Sequence, residues 1–152
     1  MAIVNGKSNL IHDPYNPASV PPDPAQARGR LVVMTGILLN AASDSNGSMW
    51  HLADLPATCL IDEGTKFDVQ NDGFAQIVIG TETDIDAFVD VARTTGATHQ
   101  PVVFGDARHG LRLWQILGLP SNPGGNIALY KHAEANATAA GNMPFVIKYI
   151  TD

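Results

Sequence analysis

Histidine is the side chain best suited to bind a metal or to move a proton near neutral pH, and the chain has five of them. No two stand four residues apart, the spacing that places two ligands on one face of a helix. The segment His132-Ala133-Glu134 has the H-x-E spacing of zinc deaminases, but the chain lacks the P-C-x-x-C ligands of that motif. A metal site would have to be assembled wholly by the fold from His12, His51, His99, His109 and His132.

Two short motifs begin or end like ligand-binding loops but lack part of the required set of groups. Asn5-Gly6-Lys7-Ser8 ends like a phosphate-binding P-loop, yet the first glycine of that loop would fall at Met1. Asp44-Ser45-Asn46-Gly47 begins like a calcium loop, yet its last acidic ligand would fall near Ala53, which cannot bind a cation. Because Asx residues and glycine favour reversals of the backbone, the second motif predicts a turn.

The remaining reactive groups are a carboxylate pair and one thiol. Asp62 and Glu63 could form a glycosidase pair, but they precede Gly64 and are more simply explained as a solvated turn. Cys59 is the single cysteine and lies in an apolar run, so we expect a small core residue rather than a nucleophile. The sequence therefore predicts no catalytic residue, no cofactor-binding residue and no metal ligand.

Two tryptophans could serve recognition instead of chemistry. Trp114 falls at helical spacing with Leu111 and Leu117, which favours a place in the core. Trp50 lies in a strand-like segment and could present a flat aromatic face to a sugar. A carbohydrate-binding module using Trp50 and a metal-dependent hydrolase are therefore the alternatives to a structural role.

Composition limits the partners. Of the 152 residues, 45% are hydrophobic and only 16% are charged, which suggests that other protein covers part of the surface. The net charge of −6, from 15 acidic and nine basic residues, offers no obvious source of cations to bind nucleic acid or an anionic membrane, so neither is expected as a partner. The chain shows no signal-peptide pattern, and we expect it to be made and folded in a cytoplasm.

Alternating and continuous apolar runs predict a mainly β domain over residues 29–152. Gly36 interrupts the first run and indicates a bulge or a close approach of another group. Asp72-Gly73 separates two alternating runs and predicts a hairpin between them. We predict strands over 31–39, 48–52, 65–69, 74–79, 127–130 and 145–150.

Two short helices are predicted to cover an edge or an end of this β-sandwich or barrel-like domain. Thr83 and Asp86 form a capping box for a helix that ends near Gly96. Asp106 is the predicted N-cap of a second helix over 107–117, which Gly118 would terminate.

Residues 1–28 have a different character and predict an extended arm. Five of the ten prolines lie at positions 14, 17, 21, 22 and 24, so the segment can be neither a helix nor a central strand. Fully extended, the arm would reach up to about 90 Å, enough to cross a neighbouring subunit. Its expected partner-binding anchors are the scattered apolar residues Ile3, Val4, Leu10, Ile11, Tyr15 and Val20.

Two segments resemble small structural proteins of tailed-bacteriophage virions. In 42–85 an acidic Gly-Ser turn precedes a strand, an L-P-A step, an amphipathic strand and a further strand followed by T-E-T-D-I. In 113–149 the run L-W-Q-I-L-G-L is followed by S-N-P-G-G, a strand, an Ala/Thr/Gly-rich turn and a closing V-I-K-Y strand. In both segments the order of turns, strands and short motifs is similar to the order found in that group of proteins.

The resemblance implies a non-enzymatic capsid decoration (cement) protein on the outer head surface, synthesised in the cytoplasm of a bacterial host. Its expected partners are the major capsid protein and other copies of itself, with a trimer favoured by analogy. A tail or fibre component with a carbohydrate-binding function is the alternative. The resemblance brings no catalytic residues, and it does not extend to the proline-rich arm.

Overall fold

The computed structural model describes residues 29–93 and 98–151, together with 15, 17–21 and 27. These residues form two antiparallel sheets with very little helix, which confirms the mainly β prediction. No helix in the described part of the chain is long and apolar enough to cross a membrane. The elements are β1 (Arg30–Asn40), β2 (Met49–Pro56), β3 (Leu60–Ile61), β4 (Lys66–Asp68), β5 (Gln76–Gly80), β6 (Val89–Ala92), β7 (Thr98–His99), α1 (Leu113–Ile116), β8 (Asn126–His132) and β9 (Gly141–Thr151).

One sheet has the strand order β1-β9-β4-β7, with β3 also paired to β9. Its longest pairing joins β1 to β9 from Arg30↔Thr151 to Asn40↔Gly141 without a break in register. The other sheet has the order β2-β8-β5-β6. Among the described strands, β1 and β2 are therefore edge strands of different sheets.

Both sheets contribute to one hydrophobic core, as expected of a sandwich-like arrangement. The alternation in 65–69 holds, since Thr65, Phe67 and Val69 are buried. Phe67 meets the ring of Phe88 edge-on, with centroids 6.2 Å apart. The first sheet supplies Leu38, Phe67, Met143 and Ile147, and the second supplies Leu55, Ile77, Ile79, Ile127 and Leu129.

The hairpin predicted around Asp72-Gly73 is wrong, because the two runs lie in different sheets. β4 pairs with β7 and β9, whereas β5 pairs with β6 and β8. The connection is instead buried: the Gly73 N–H donates to Asn40 Oδ1 at 3.0 Å and its carbonyl accepts from the Thr138 N–H at 2.8 Å. Long-range partners for both strands thus replace the local pairing.

The first predicted helix, over 83–96, is also wrong. The Thr81 Oγ1 accepts a hydrogen bond from the Asp84 N–H at 3.0 Å, and the Thr81 N–H donates to the Asp84 carbonyl at 2.8 Å. These bonds close a turn that leads into β6, which pairs with β5 from Ile79↔Val89 to Gln76↔Ala92. The alternation of Val89 and Val91 with polar or small neighbours prevailed over the capping-box signal.

The second predicted helix, over 107–117, is reduced to the four residues of α1. Asp106 does not cap it; its carboxylate accepts from the backbone N–H groups of Val103, Arg108 and His109 and holds a separate loop. Gly110 has φ +78, which no α-helix can continue through. The predicted stop is confirmed: Gly118 (φ +68) ends the helix in a Schellman motif, with the Leu119 N–H bonded to the Trp114 carbonyl at 3.0 Å.

Three predictions about small residues are confirmed. Gly36 of β1 lies opposite Phe145 of the neighbouring strand β9, and a Cβ at position 36 would lie 2.6 Å from the Phe145 ring. The 44–47 segment is a turn in which Gly47 has φ +85 and donates to the Ala133 carbonyl at 2.8 Å. Cys59 is fully buried, and burial raises the pKa of its thiol to about 12, which leaves it un-ionised at neutral pH.

Candidate interaction surface

Five alternate side chains of β1 point away from the core, and all of them except Thr35 are apolar. Leu31, Val33, Ile37 and Leu39 are 54%, 52%, 65% and 69% exposed. Successive strand residues alternate between the two faces of a sheet, so these four lie in one row. Four large aliphatic side chains in a single exposed row are unusual on a protein that acts alone.

The neighbouring strand extends this row into a surface. Pro144, Val146 and Ile150 of β9 lie opposite Ile37, Thr35 and Leu31 in register, so they share the outer face. They are half-buried. We call the surface formed by Leu31, Val33, Ile37, Leu39, Pro144, Val146 and Ile150 the β1 face.

The β1 face ends at an open strand edge. Within the described residues, β1 pairs with β9 on one side and with no strand on the other. Such an edge presents a row of N–H and C=O groups that can pair with an added strand. In the part of the chain that the structure describes, this edge of β1 lies beside aliphatic side chains and offers a template for another extended segment.

A groove follows the same side of the domain. It has a volume of about 540 Å³ and lies between the edge strands of the two sheets, with Ile37 and Leu39 on one wall and Met49 and Leu52 on the other. Met49 is 46% exposed. The groove therefore connects the β1 face to β2, and the exposed side chain of His51 adds a polar group to its lining.

The two tryptophans proposed for recognition or for the core are both half-buried and pack against the core. Trp50 meets the ring of Phe74 edge-on, with centroids 5.5 Å apart. A shift of register between His51 and Ala53 turns Trp50 to the same side as the buried residues of β2. The Trp50 ring therefore does not lie flat on an exposed strand face, as a sugar platform would require.

The histidines are not brought together in the described part of the chain, where no group of three or more His, Cys, Asp or Glu residues could hold a metal. His51 contacts Asp54 at 3.0 Å, and His132 contacts the Thr81 carbonyl at 2.9 Å. Burial, aided by the charge of Arg108, lowers the pKa of His99 and favours the neutral imidazole. His12 lies outside the described residues.

The predicted arm anchors are only partly covered by the structure. Ile3, Val4, Leu10 and Ile11 lie outside the described residues. Tyr15 is 95% exposed and Val20 is 81% exposed, so neither is buried against the domain. Ala27 is helical, and Tyr15, Pro17 and Ala18 lie in turns, so the expectation of a wholly extended segment without helix is wrong at these positions. The domain boundary at residue 28 stays a prediction.

Sequence reasoning missed a buried ion pair. Lys131 of β8 and Asp72 of the β4–β5 connection have no exposed side-chain surface, and the Lys131 ammonium donates to Asp72 Oδ2. A signal was present: Ile127, Leu129 and Lys131 alternate in one strand and must share a face. A lysine in an inward-facing row needs a buried partner.

Comparisons with known proteins give no identity for the chain. No family model matches it. No similar chain was found among curated proteins. No solved structure was found to match its fold.

Proposed function

We propose that this chain is a non-enzymatic virion structural protein of a tailed bacteriophage, a capsid decoration protein on the outer head surface. The sequence resemblance in 42–85 and 113–149 supports the virion setting. The observation that carries the assembly role is the β1 face, an exposed aliphatic surface beside an open strand edge. The proposed unit is a sandwich domain with an extended N-terminal arm.

The proposed occupant of the β1 face is the arm of a neighbouring copy. The arm enters the domain at β1, so its attachment point lies on the edge strand itself. All five of its prolines fall between positions 14 and 24, whereas residues 1–12 contain none and keep every backbone N–H that an added strand needs. Ile3, Val4, Leu10 and Ile11 belong to this proline-free part and supply aliphatic side chains.

The reach of the arm fits exchange between copies. Residues 13–28 form the proline-rich part, and 16 residues would span up to about 50 Å if fully extended as polyproline-like chain at about 3.1 Å per residue. The turns at Tyr15, Pro17 and Ala18 shorten this reach. Prolines also restrict the free arm beforehand, which reduces the entropy lost on docking. Closed exchange of identical arms around a rotation axis gives a cyclic oligomer, and a trimer is our first expectation.

The same arrangement explains attachment to a shell of many identical subunits. Several weak contacts to the major capsid protein act together once the copies are joined, which raises the apparent affinity without any new contact. Synthesis in the host cytoplasm precedes this attachment in the proposed pathway. The proposal needs no cofactor, nucleic acid or membrane.

The test is removal of residues 1–28, followed by co-sedimentation with undecorated heads and native mass spectrometry. We expect a folded monomer that no longer sediments with heads. A matched control keeps the arm length and replaces Ile3, Val4, Leu10 and Ile11 by serine; it should behave like the truncation. Full binding by the truncated protein would show that the arm is not the attachment device, and failure of the intact protein to sediment with heads would refute the decoration role.

A further inference from the structure

Lys131 and Asp72 are 59 residues apart in sequence and meet inside the core. The side chain of Lys131 leaves β8 on the inward face, and Asp72 reaches it from the connection between the sheets. Neither side chain has any exposed surface. A primary amine and a carboxyl group are thus held in direct contact away from water.

Aromatic rings enclose the contact. The Lys131 Nζ lies 5.2 Å from the ring centroid of Trp50 and 4.7 Å from that of Phe74. Burial lowers the pKa of the Lys131 amine, while the hydrogen bond and charge of Asp72 and the charge of Asp44 oppose that shift. Burial in apolar surroundings disfavours the charged ammonium of Lys131 and so favours the neutral amine that could act as a nucleophile.

The acid is held in place from several sides. Asp72 Oδ1 accepts from the Phe74 N–H at 2.9 Å, and the Asp72 carbonyl accepts from the Arg93 guanidinium at 2.9 Å. Gly73 has no room for a side chain, because a Cβ there would lie 2.1 Å from the Ala139 carbonyl oxygen. Fixing two reactants at contact distance replaces an encounter in solution and removes much of its entropic cost.

We propose that Lys131 and Asp72 join in an intramolecular isopeptide bond. A proton first passes from the ammonium to Asp72 Oδ2, which gives a neutral amine and a carboxylic acid. The Nζ lone pair then attacks Cγ, and the Phe74 N–H stabilises the negative charge that develops on Oδ1. The Cγ–Oδ2 bond breaks, and this oxygen leaves as water with its own proton and one proton from Nζ, so no oxidant or co-reactant is needed.

The bond would tie the connection between the sheets to the C-terminal end of β8. A covalent link between distant residues restricts the unfolded chain in the way that a disulfide does. Unlike a disulfide it survives reduction, which suits a chain with a single cysteine. The inference does not depend on the proposed function.

The experiment is mass spectrometry of the intact, denatured wild-type protein, followed by trypsin digestion. We expect a mass lower than that of the sequence by one water, and a linked product of peptides 67–93 and 113–148, because trypsin cannot cut after an acylated Lys131. The separate peptides 67–93 and 113–131 should be missing. The full sequence mass, or separate peptides in full yield, would overturn the proposal.

One other reaction loses the same mass. Asp72 precedes Gly73, and an Asp-Gly step can close to a succinimide without involving Lys131. The variant Lys131→Arg separates the two, since an isopeptide bond cannot form and the full mass should return. Persistent loss of water in Lys131→Arg would assign the loss to the succinimide and refute the bond, and the digest of the wild type gives the same distinction if the variant does not fold.

Discussion

Replacing two outward aliphatic residues of β1 by lysine should dissociate the oligomer without unfolding the domain. Ile37 and Leu39 are the most exposed of the row, at 65% and 69%. Burying a whole aliphatic side chain contributes about 1.5–3 kcal/mol, so burying the exposed two thirds contributes about 1–2 kcal/mol each. The double variant Ile37→Lys/Leu39→Lys therefore removes about 2–4 kcal/mol from each acceptor surface.

That loss corresponds to a Kd between about 30-fold and about 1,000-fold weaker, since each 1.4 kcal/mol is a factor of ten. Charged side chains on an open edge also disfavour strand addition. The folded domain should be almost unaffected, because both side chains already face solvent. The assay is sedimentation equilibrium over a range of concentrations, with the melting temperature measured on the same samples.

A matched control separates the position from the charge. Gln70 and Ser121 are exposed and lie outside the β1 face, so Gln70→Lys/Ser121→Lys adds the same charge elsewhere. We expect this control to associate like the wild type. Equal weakening in both double variants would assign the effect to net charge, and unchanged association in Ile37→Lys/Leu39→Lys would show that the β1 face is not the interface.

Two further substitutions test the fold itself. Gly36→Ala should lower the free energy of unfolding by about 1–3 kcal/mol in a urea titration, because its Cβ would overlap the Phe145 ring. Adding Phe145→Leu should recover part of this loss. An unchanged urea midpoint in Gly36→Ala would contradict the close approach of Gly36 to Phe145. Asp106→Ala should lower the melting temperature at neutral pH, because three backbone N–H groups lose their acceptor. The hydrogen bond from Val103, with those from Arg108 and His109 and the charge of Arg108, lowers the pKa of Asp106 below its usual 3.8, so its stabilisation is complete above pH 3.8 and is lost as pH falls through the depressed value. The difference between Asp106→Ala and wild type should therefore shrink in melts below pH 3.8, and a difference that stays constant would show that the carboxylate charge is not involved.

Local features of the fold were predictable from short stretches of sequence. The alternation around Phe67 fixed which of its neighbours face the core, and Gly118 fixed where the helix ends. Asx residues and glycine fixed the turn at 44–47. Each of these depends on the backbone preferences of a few consecutive residues or on the period of side chains along one strand.

The choice of strand partners was not predictable in this way. β4 and β5 follow each other closely, yet each forms its hydrogen bonds in a different sheet. A strand offers the same N–H and C=O groups to any neighbour, so the partner is selected by packing of the whole core. The same selection converted the segment after Thr83 from a predicted helix into β6.

Sequence by itself determined a mainly β chain with an apolar first strand and a proline-rich N-terminal segment, and it contains no recognisable catalytic motif. Tertiary structure alone decided that β1 lies at a sheet edge, which turns its outer residues into the β1 face. It also decided that the register shift after His51 aims Trp50 at Lys131, and that Asp72 reaches the same point from a distant connection. These contacts join residues that are far apart in sequence, and the positions of those residues are set only by the packing of the two sheets against each other.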